Sequence, residues 1–155
     1  MDNKHKAVVE YLSQYPELKS YLYFNTNKEQ ENHTSINTTT SDYYFKKYFI
    51  GGIKYYDLAI SIMKSYDTGT SNINMEEMFD VQKFMLWIDE QNKIKNYPKF
   101  ENAEILSIEN LQSEPTLSGV NESGDIAKYM FQIRIKYLTK EWFYEIITIN
   151  ERDNP

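Results

Sequence analysis

Several residue types that carry chemistry in other proteins are scarce in this chain of 155 residues. It has no cysteine, which excludes disulfides, cysteine-based zinc or iron–sulfur sites and a thiol nucleophile. Its two histidines, His5 and His33, lie in polar stretches, and no serine or threonine stands in a nucleophile motif. We therefore expect a protein that is not an enzyme, with no catalytic residue, no metal site and no cofactor.

An excess of positive charge and long apolar runs are also lacking. Seventeen Lys and Arg against 23 Asp and Glu give a net charge of −6, so nucleic-acid phosphates meet no concentrated basic patch. No stretch approaches the roughly 20 apolar residues of a membrane span, and residues 1–12 lack the apolar core of a signal peptide. We expect no membrane partner, no sequence-specific nucleic-acid binding and a protein that acts in the cytoplasm.

The residues that are present predict one folded domain over 1–155. Apolar residues make up 41% of the chain and aromatic residues 15%, which is enough for a packed core. Helical spacing of apolar residues predicts helices over 3–14 and 74–96, the second with Asn74 as its N-cap. Alternating or apolar runs predict strands over 18–24, 43–50, 53–65, 103–111 and 127–138, with a turn at Gly51-Gly52 and a loop over 113–125. This order predicts an α+β fold, a mainly antiparallel sheet with two principal helices packed against it.

The segment 25–42 differs sharply in composition from its neighbours. It contains one strongly apolar side chain, Ile36, and is otherwise rich in Asn, Thr, Ser and charged residues. Such a segment buries too little apolar surface to offset the entropy of ordering it. We therefore predict a long mobile loop at about 25–42.

Two apolar strands are expected to need cover on both faces. They span 43–50 and 142–149, the second predicted as a C-terminal strand or arm, and part of their cover is expected from another subunit. We predict a subunit or partner interface that contains Tyr43, Tyr44, Lys46, Lys47, Tyr48, Trp142 and Tyr144. The aromatic and basic residues of 43–48 also fit stacking on single-stranded bases, but the acidic composition favours ordinary sheet packing.

Acidic residues offer one further hypothesis for chemistry. Asp89-Glu90 and Glu76-Glu77 on the predicted helix suggest a metal or acid–base site. Adjacent residues on a helix point in different directions, and carboxylates are ordinary on its solvated face. The structural interpretation is therefore favoured.

Four segments resemble, in the same order, a group of small structural proteins of tailed phages, the tail terminators or tail-completion proteins. The matching patterns cover most of residues 43–138 and consist of packing and turn signals: YFIGGIKYYDLAISIMKSYD, KFMLWIDEQNKIKNYPKFENAEILSIENL, PTLSGVNESG and AKYMFQIRIKYL. The resemblance implies a hexameric ring that caps the tail tube, ends tail polymerisation and offers a surface for head joining. It implies as partners other copies of the chain, the tail tube protein and a head-completion or connector protein, and a place in the virion tail.

Two alternatives share these sequence features. A head–tail connector or stopper, or another small assembly adaptor, has the same size, charge and lack of catalytic groups. A small-ligand-binding α+β domain is the second alternative, and it needs a pocket between the helix at 74–96 and the sheet.

Overall fold

The computed structural model of the chain describes residues 3–18, 22–24, 33–39, 46–48, 51–65, 71–120 and 126–139. At 46–48, 51–52, 61–65, 71–77, 120 and 126 it describes the backbone alone. The helices are α1 (Lys4–Leu12) and α2 (Ser71–Lys93). The strands are β1 (Leu22–Phe24), β2 (His33–Thr38), β3 (Lys46–Tyr48), β4 (Gly51–Ser65), β5 (Ala103–Asn110), β6 (Thr116–Val120) and β7 (Ile126–Thr139). The α+β prediction is confirmed.

The two longest strands form the centre of a single mixed sheet. β4 and β7 pair antiparallel from Ile53↔Leu138 to Ser65↔Ile126. β2 and β3 both pair antiparallel with β4, and β1 pairs in parallel with β2. β5 and β6 follow one another along the remaining edge of β7, both antiparallel to it. The predicted, mainly antiparallel pairing is therefore confirmed.

Strict alternation along β7 divides the sheet into a helix-packed face and a polar face. Its buried side chains are the six predicted to face inward: Ala127, Tyr129, Phe131, Ile133, Ile135 and Tyr137. On this face the Phe84 ring of α2 meets the Phe131 ring edge-on, with centroids 5.7 Å apart. The Tyr15 ring, just after α1, stacks on Phe84 at 4.6 Å. Both helices therefore pack against the same face.

The helix boundaries follow local chemistry in part. Asn3 caps α1, because its Oδ1 accepts a hydrogen bond of 3.1 Å from the Lys6 amide. α2 begins at Ser71, so the prediction of Asn74 as its N-cap is wrong. Its 23 residues correspond to about six turns, as its apolar spacing predicted.

The polar segment 25–42 is not a loop throughout. Residues His33–Thr38 form β2, where Thr34, Ser35 and Ile36 are buried between β1 and β4. Pairing along both edges satisfies the backbone of this strand, and small hydroxyl side chains fit a crowded pleated surface. The prediction of a mobile loop is therefore wrong for 33–38, and its remainder, 25–32 and 40–42, lies outside the described residues.

Other boundaries differ from those predicted. Gly51 and Gly52 belong to β4 and pair with Tyr48 and Lys47, so they are not the turn residues of the hairpin. β6 lies inside the predicted loop 113–125, where it pairs with β7. The predicted C-terminal strand or arm at 142–149 lies outside the described residues.

Candidate interaction surface

A bidentate ion pair occupies the centre of the polar face of the sheet. Asp57 on β4 lies directly opposite Arg134 on β7, and its side chain is only 6% exposed. Arg134 donates from Nε to Oδ1 at 2.8 Å and from Nη2 to Oδ2 at 2.9 Å. Hydrogen bonding to Asp57 raises the pKa of Arg134, so the guanidinium stays charged. The pair links β4 to β7 across the middle of the sheet.

An aromatic ring and a second ion pair extend this arrangement. The Arg134 guanidinium lies 4.8 Å from the centre of the Tyr55 ring, and the Lys136 ammonium lies 5.9 Å from it. Lys136 also lies 3.0 Å from the Glu109 carboxylate on β5. These five residues, which we call the ionic cluster, carry two cations and two carboxylates. Since each charge has an opposite partner, the cluster holds three strands in register.

The predicted interface residues fall at one end of the sheet where the structure describes them. Lys46, Lys47 and Tyr48 form β3, and Ile53 pairs with Lys46 on one edge of β4 and with Leu138 on the other. β3 therefore lies on the same edge of β4 as β2, at the end nearest the ionic cluster. Tyr43, Tyr44, Trp142 and Tyr144 lie outside the described residues, so the structure brings together only Lys46–Tyr48.

The outer edge of β5 is protected by side chains from α2 and the segment after it. The Ile108 amide donates to Asn92 Oδ1 at 3.0 Å, and the Tyr97 hydroxyl donates to the Leu106 carbonyl at 3.1 Å. Unpaired backbone groups on a sheet edge invite another strand to pair with them. Because these groups are already bonded, strand addition is disfavoured at this edge.

The outward side of α2 is unusually apolar. Phe79, Leu86 and Ile94 are 49%, 60% and 69% exposed, and a groove of about 520 Å³ runs beside the first two of them. We call Phe79, Lys83, Leu86, Glu90 and Ile94 the outer stripe. Sequence reasoning identified the core face of this helix (Val81, Phe84, Met85 and Ile88) and missed the outer stripe. The spacing of seven and eight residues between its apolar members was the available signal.

The contact between α2 and the sheet is filled by side chains, which bears on the ligand-binding alternative. Val81, Phe84 and Ile88 are buried there with Phe131 and Ile133. A groove of about 300 Å³ lies at the periphery, between α2 and residues 110–113. At this groove Asn110 Nδ2 donates to the Met85 carbonyl at 2.9 Å and to Asp89 Oδ1 at 2.8 Å. Asp89 therefore has a structural role in joining the helix to β5.

Both histidines pack against aromatic rings, contrary to the polar setting of their sequence neighbours. His33 is buried and stacks on Tyr23, with ring centroids 4.4 Å apart. His5 Nδ1 is hydrogen-bonded to the Tyr56 hydroxyl, and its ring lies 4.7 Å from that of Phe24. No cluster of three metal-ligating side chains occurs within the described ranges. Neither helix, as far as the structure describes them, combines the length and hydrophobicity needed to cross a bilayer.

The fold is shared with a chain of a known particle. The structure titled "Virion of native gene transfer agent (GTA) particle" contains a chain that superposes with a TM-score of 0.57 at 12% sequence identity. The superposition covers 87% of this chain and 94% of that chain. At this identity the likeness establishes a common fold. No protein-family model and no curated protein sequence matches the chain.

Proposed function

We propose that this chain is a structural protein of a phage, a prophage or a related virus-like particle. The observation that carries this proposal is the fold shared with a chain of the gene transfer agent virion. The shared region spans 94% of that chain, so the likeness concerns the whole fold and not one common motif. A particle component works by fitting its neighbours, and we propose no catalytic activity and no cofactor for this protein.

Within such a particle, we assign the protein to the end of the tail tube. As a tail terminator, a hexameric ring of this chain stops tube polymerisation and offers a surface to the head-completion or connector protein. The assignment is supported by the segments that resemble tail terminators, which fall on β4, α2, β5, β6 and β7. Of these elements, β4 and β7 form the centre of the described sheet, β5 and β6 line the other edge of β7, and α2 packs on the buried face. We place the protein in the host cytoplasm during assembly and in the tail afterwards.

The chemistry of the polar face also favours a role in assembly. Arg134 donates to Asp57 from both Nε and Nη2, and Lys136 is paired with Glu109. A catalytic or anion-binding site needs such groups to be available to a substrate. A self-neutralised cluster instead fixes the register of β4, β7 and β5, and a constant sheet geometry suits repeated subunit contacts.

Native mass spectrometry and fractionation of particles together test this proposal. Native mass spectrometry over a wide concentration range, with negative-stain images of the largest species, should show a six-fold ring. A tagged copy should copurify with headless tails from the producing cells. If it stays instead with DNA-filled heads after tail removal, the connector assignment replaces the terminator. If it is absent from both particles, whatever its oligomeric state, the structural role is wrong.

A further inference from the structure

The outer stripe of α2 forms a narrow seam along one side of the helix. At about 100° per residue its five members fall within an arc of about 80°. Ile94 continues the helical path beyond the last assigned residue, since its amide donates to the Glu90 carbonyl at 3.2 Å. The three apolar members are 49–69% exposed, and the Lys83 side chain is 58% exposed. The seam is therefore available to another molecule.

The order of charges and apolar groups along the seam is symmetric about one point. Lys83 and Glu90 lie at equal distances from the midpoint between residues 86 and 87, and so do Phe79 and Ile94. If a second α2 packs antiparallel with a two-fold axis at this midpoint, Lys83 meets Glu90 of the second copy. Phe79 then meets Ile94 of the second copy, and the two Leu86 side chains flank the axis. In this register both charged residues and the two outer apolar residues of the seam meet a complementary partner, while Leu86 lies beside the axis.

Other orientations lack this complementarity. In a parallel arrangement with the same residues aligned, Lys83 faces Lys83 and Glu90 faces Glu90, which places like charges opposite each other. A small apolar ligand accounts for the exposed Phe79 and Leu86 but not for the symmetric placement of opposite charges.

We propose that the outer stripe is a self-association surface, on which a second copy of this chain packs with its α2 antiparallel about a two-fold axis. This contact uses the same patch on both copies, whereas a closed ring uses two different patches on each copy. The proposal therefore goes beyond the ring and does not depend on it. The seam offers three large apolar side chains per copy, fewer than a standard stable interface contains, so the dimer is weak and concentration-dependent.

Sedimentation equilibrium of charge variants tests the register. Lys83→Glu alone and Glu90→Lys alone each put like charges opposite each other and should weaken dimerisation about 10-fold. The double variant Lys83→Glu/Glu90→Lys restores opposite charges and should recover the affinity of the original chain. Leu86→Asp should abolish the dimer. The matched control is Leu117→Asp on β6, where a leucine of 53% exposure is replaced without effect on dimerisation.

Cysteine cross-linking tests the antiparallel geometry, because the chain contains no cysteine of its own. A mixture of Lys83→Cys and Glu90→Cys proteins should form a cross-linked heterodimer under mild oxidation. Each protein alone should not, since residues 83 of the two copies are about 10 Å apart along the helix axis, beyond disulfide reach. Leu86→Cys alone should cross-link.

Two outcomes would refute the self-association proposal and leave the proposed function unaffected. It fails if no dimer forms at concentrations up to about 1 mM, a range that covers weak interfaces. It fails equally if the Lys83→Cys protein cross-links to itself as readily as the mixture does. Leu86→Asp should lose the dimer yet keep its place in particles, whereas loss of particle association by the original chain refutes the proposed function alone.

Discussion

Removal of the Arg134 charge is the most direct test of the ionic cluster. Arg134→Met keeps the apolar stem of the side chain and leaves both Asp57 oxygens, on a residue that is 6% exposed, without their donors. Removing one partner of a fully buried pair costs roughly 3–5 kcal/mol. The Arg134 side chain is 28% exposed, so water can reach the vacated space. We therefore expect the free energy of unfolding to fall by about 2–3 kcal/mol.

A double-mutant cycle measures the coupling energy between Asp57 and Arg134. Asp57→Leu alone should cost about 1–2 kcal/mol, since the less buried arginine can regain contact with water. The double variant Asp57→Leu/Arg134→Met leaves no unpaired charge and should lie within about 1 kcal/mol of the original chain. The coupling between the two sites is then about 2 kcal/mol or more.

Urea unfolding followed by tryptophan fluorescence measures these differences in a Trp142→Phe background, where Trp87 is the remaining tryptophan. Its ring lies 5.5 Å from that of Tyr15 and 6.1 Å from that of Phe84, so it reports on the helix core. The control is Lys136→Met, on the same strand and face, whose partner Glu109 is 40% exposed. It should cost less than about 1 kcal/mol. An Arg134→Met protein as stable as this control, or additive single variants, would refute the reasoning.

Three further predictions concern the outer edge of β5, the loop between β5 and β6, and unfolding at alkaline pH. Asn92→Ala removes the acceptor of the Ile108 amide and should lower stability by about 1–2 kcal/mol, with faster aggregation by light scattering as the β5 edge opens. Gln112→Ala should cost about 1 kcal/mol in urea unfolding, because its Nε2 lies 2.8 Å from the Glu114 carbonyl and 3.1 Å from the Met130 carbonyl. Burial raises the pKa of Tyr15 to about 12, above the unfolded value of about 10. The protonated hydroxyl therefore contributes fully to the free energy of unfolding below pH 10, and this contribution is lost as the pH rises through 12. Tyr15→Phe should flatten this decline in unfolding experiments between pH 9 and 12, and an unchanged slope would contradict the assignment.

Elements with a strong apolar period were predictable from the sequence, and elements held by their neighbours were not. β7 alternates over its whole length and α2 carries a core face at helical spacing, so each pattern identifies its structure alone. β2 consists of His, Thr, Ser, Ile and Asn, whose strand conformation depends on the pairing that β1 and β4 supply. β6 likewise contains Ser118 and Gly119, and β7 alone pairs with it in the described sheet.

The ionic cluster could not be predicted from the sequence for a similar reason. Asp57 and Arg134 are 77 positions apart, and a one-residue shift in the pairing of β4 and β7 puts them on opposite faces. The sequence shows both residues but not the register that joins them. The predicted interface stays a prediction, since the structure describes only the backbone of Lys46–Tyr48 and does not describe Tyr43, Tyr44, Trp142 and Tyr144.

The two sides of α2 follow different physical requirements. Val81, Phe84 and Ile88 are buried because they pack on β7, and this burial accounts for the helix without any help from its outer side. Phe79, Leu86 and Ile94 contribute little to that packing while leaving apolar surface in water. Lys83 lies 4.0 Å from the Asp80 carboxylate and charges are ordinary on a solvated helix face, but folding of the chain alone gives no reason for the three exposed apolar residues. A second copy on the outer stripe supplies one, because it turns the exposed apolar side chains into buried contacts and brings Lys83 opposite its Glu90.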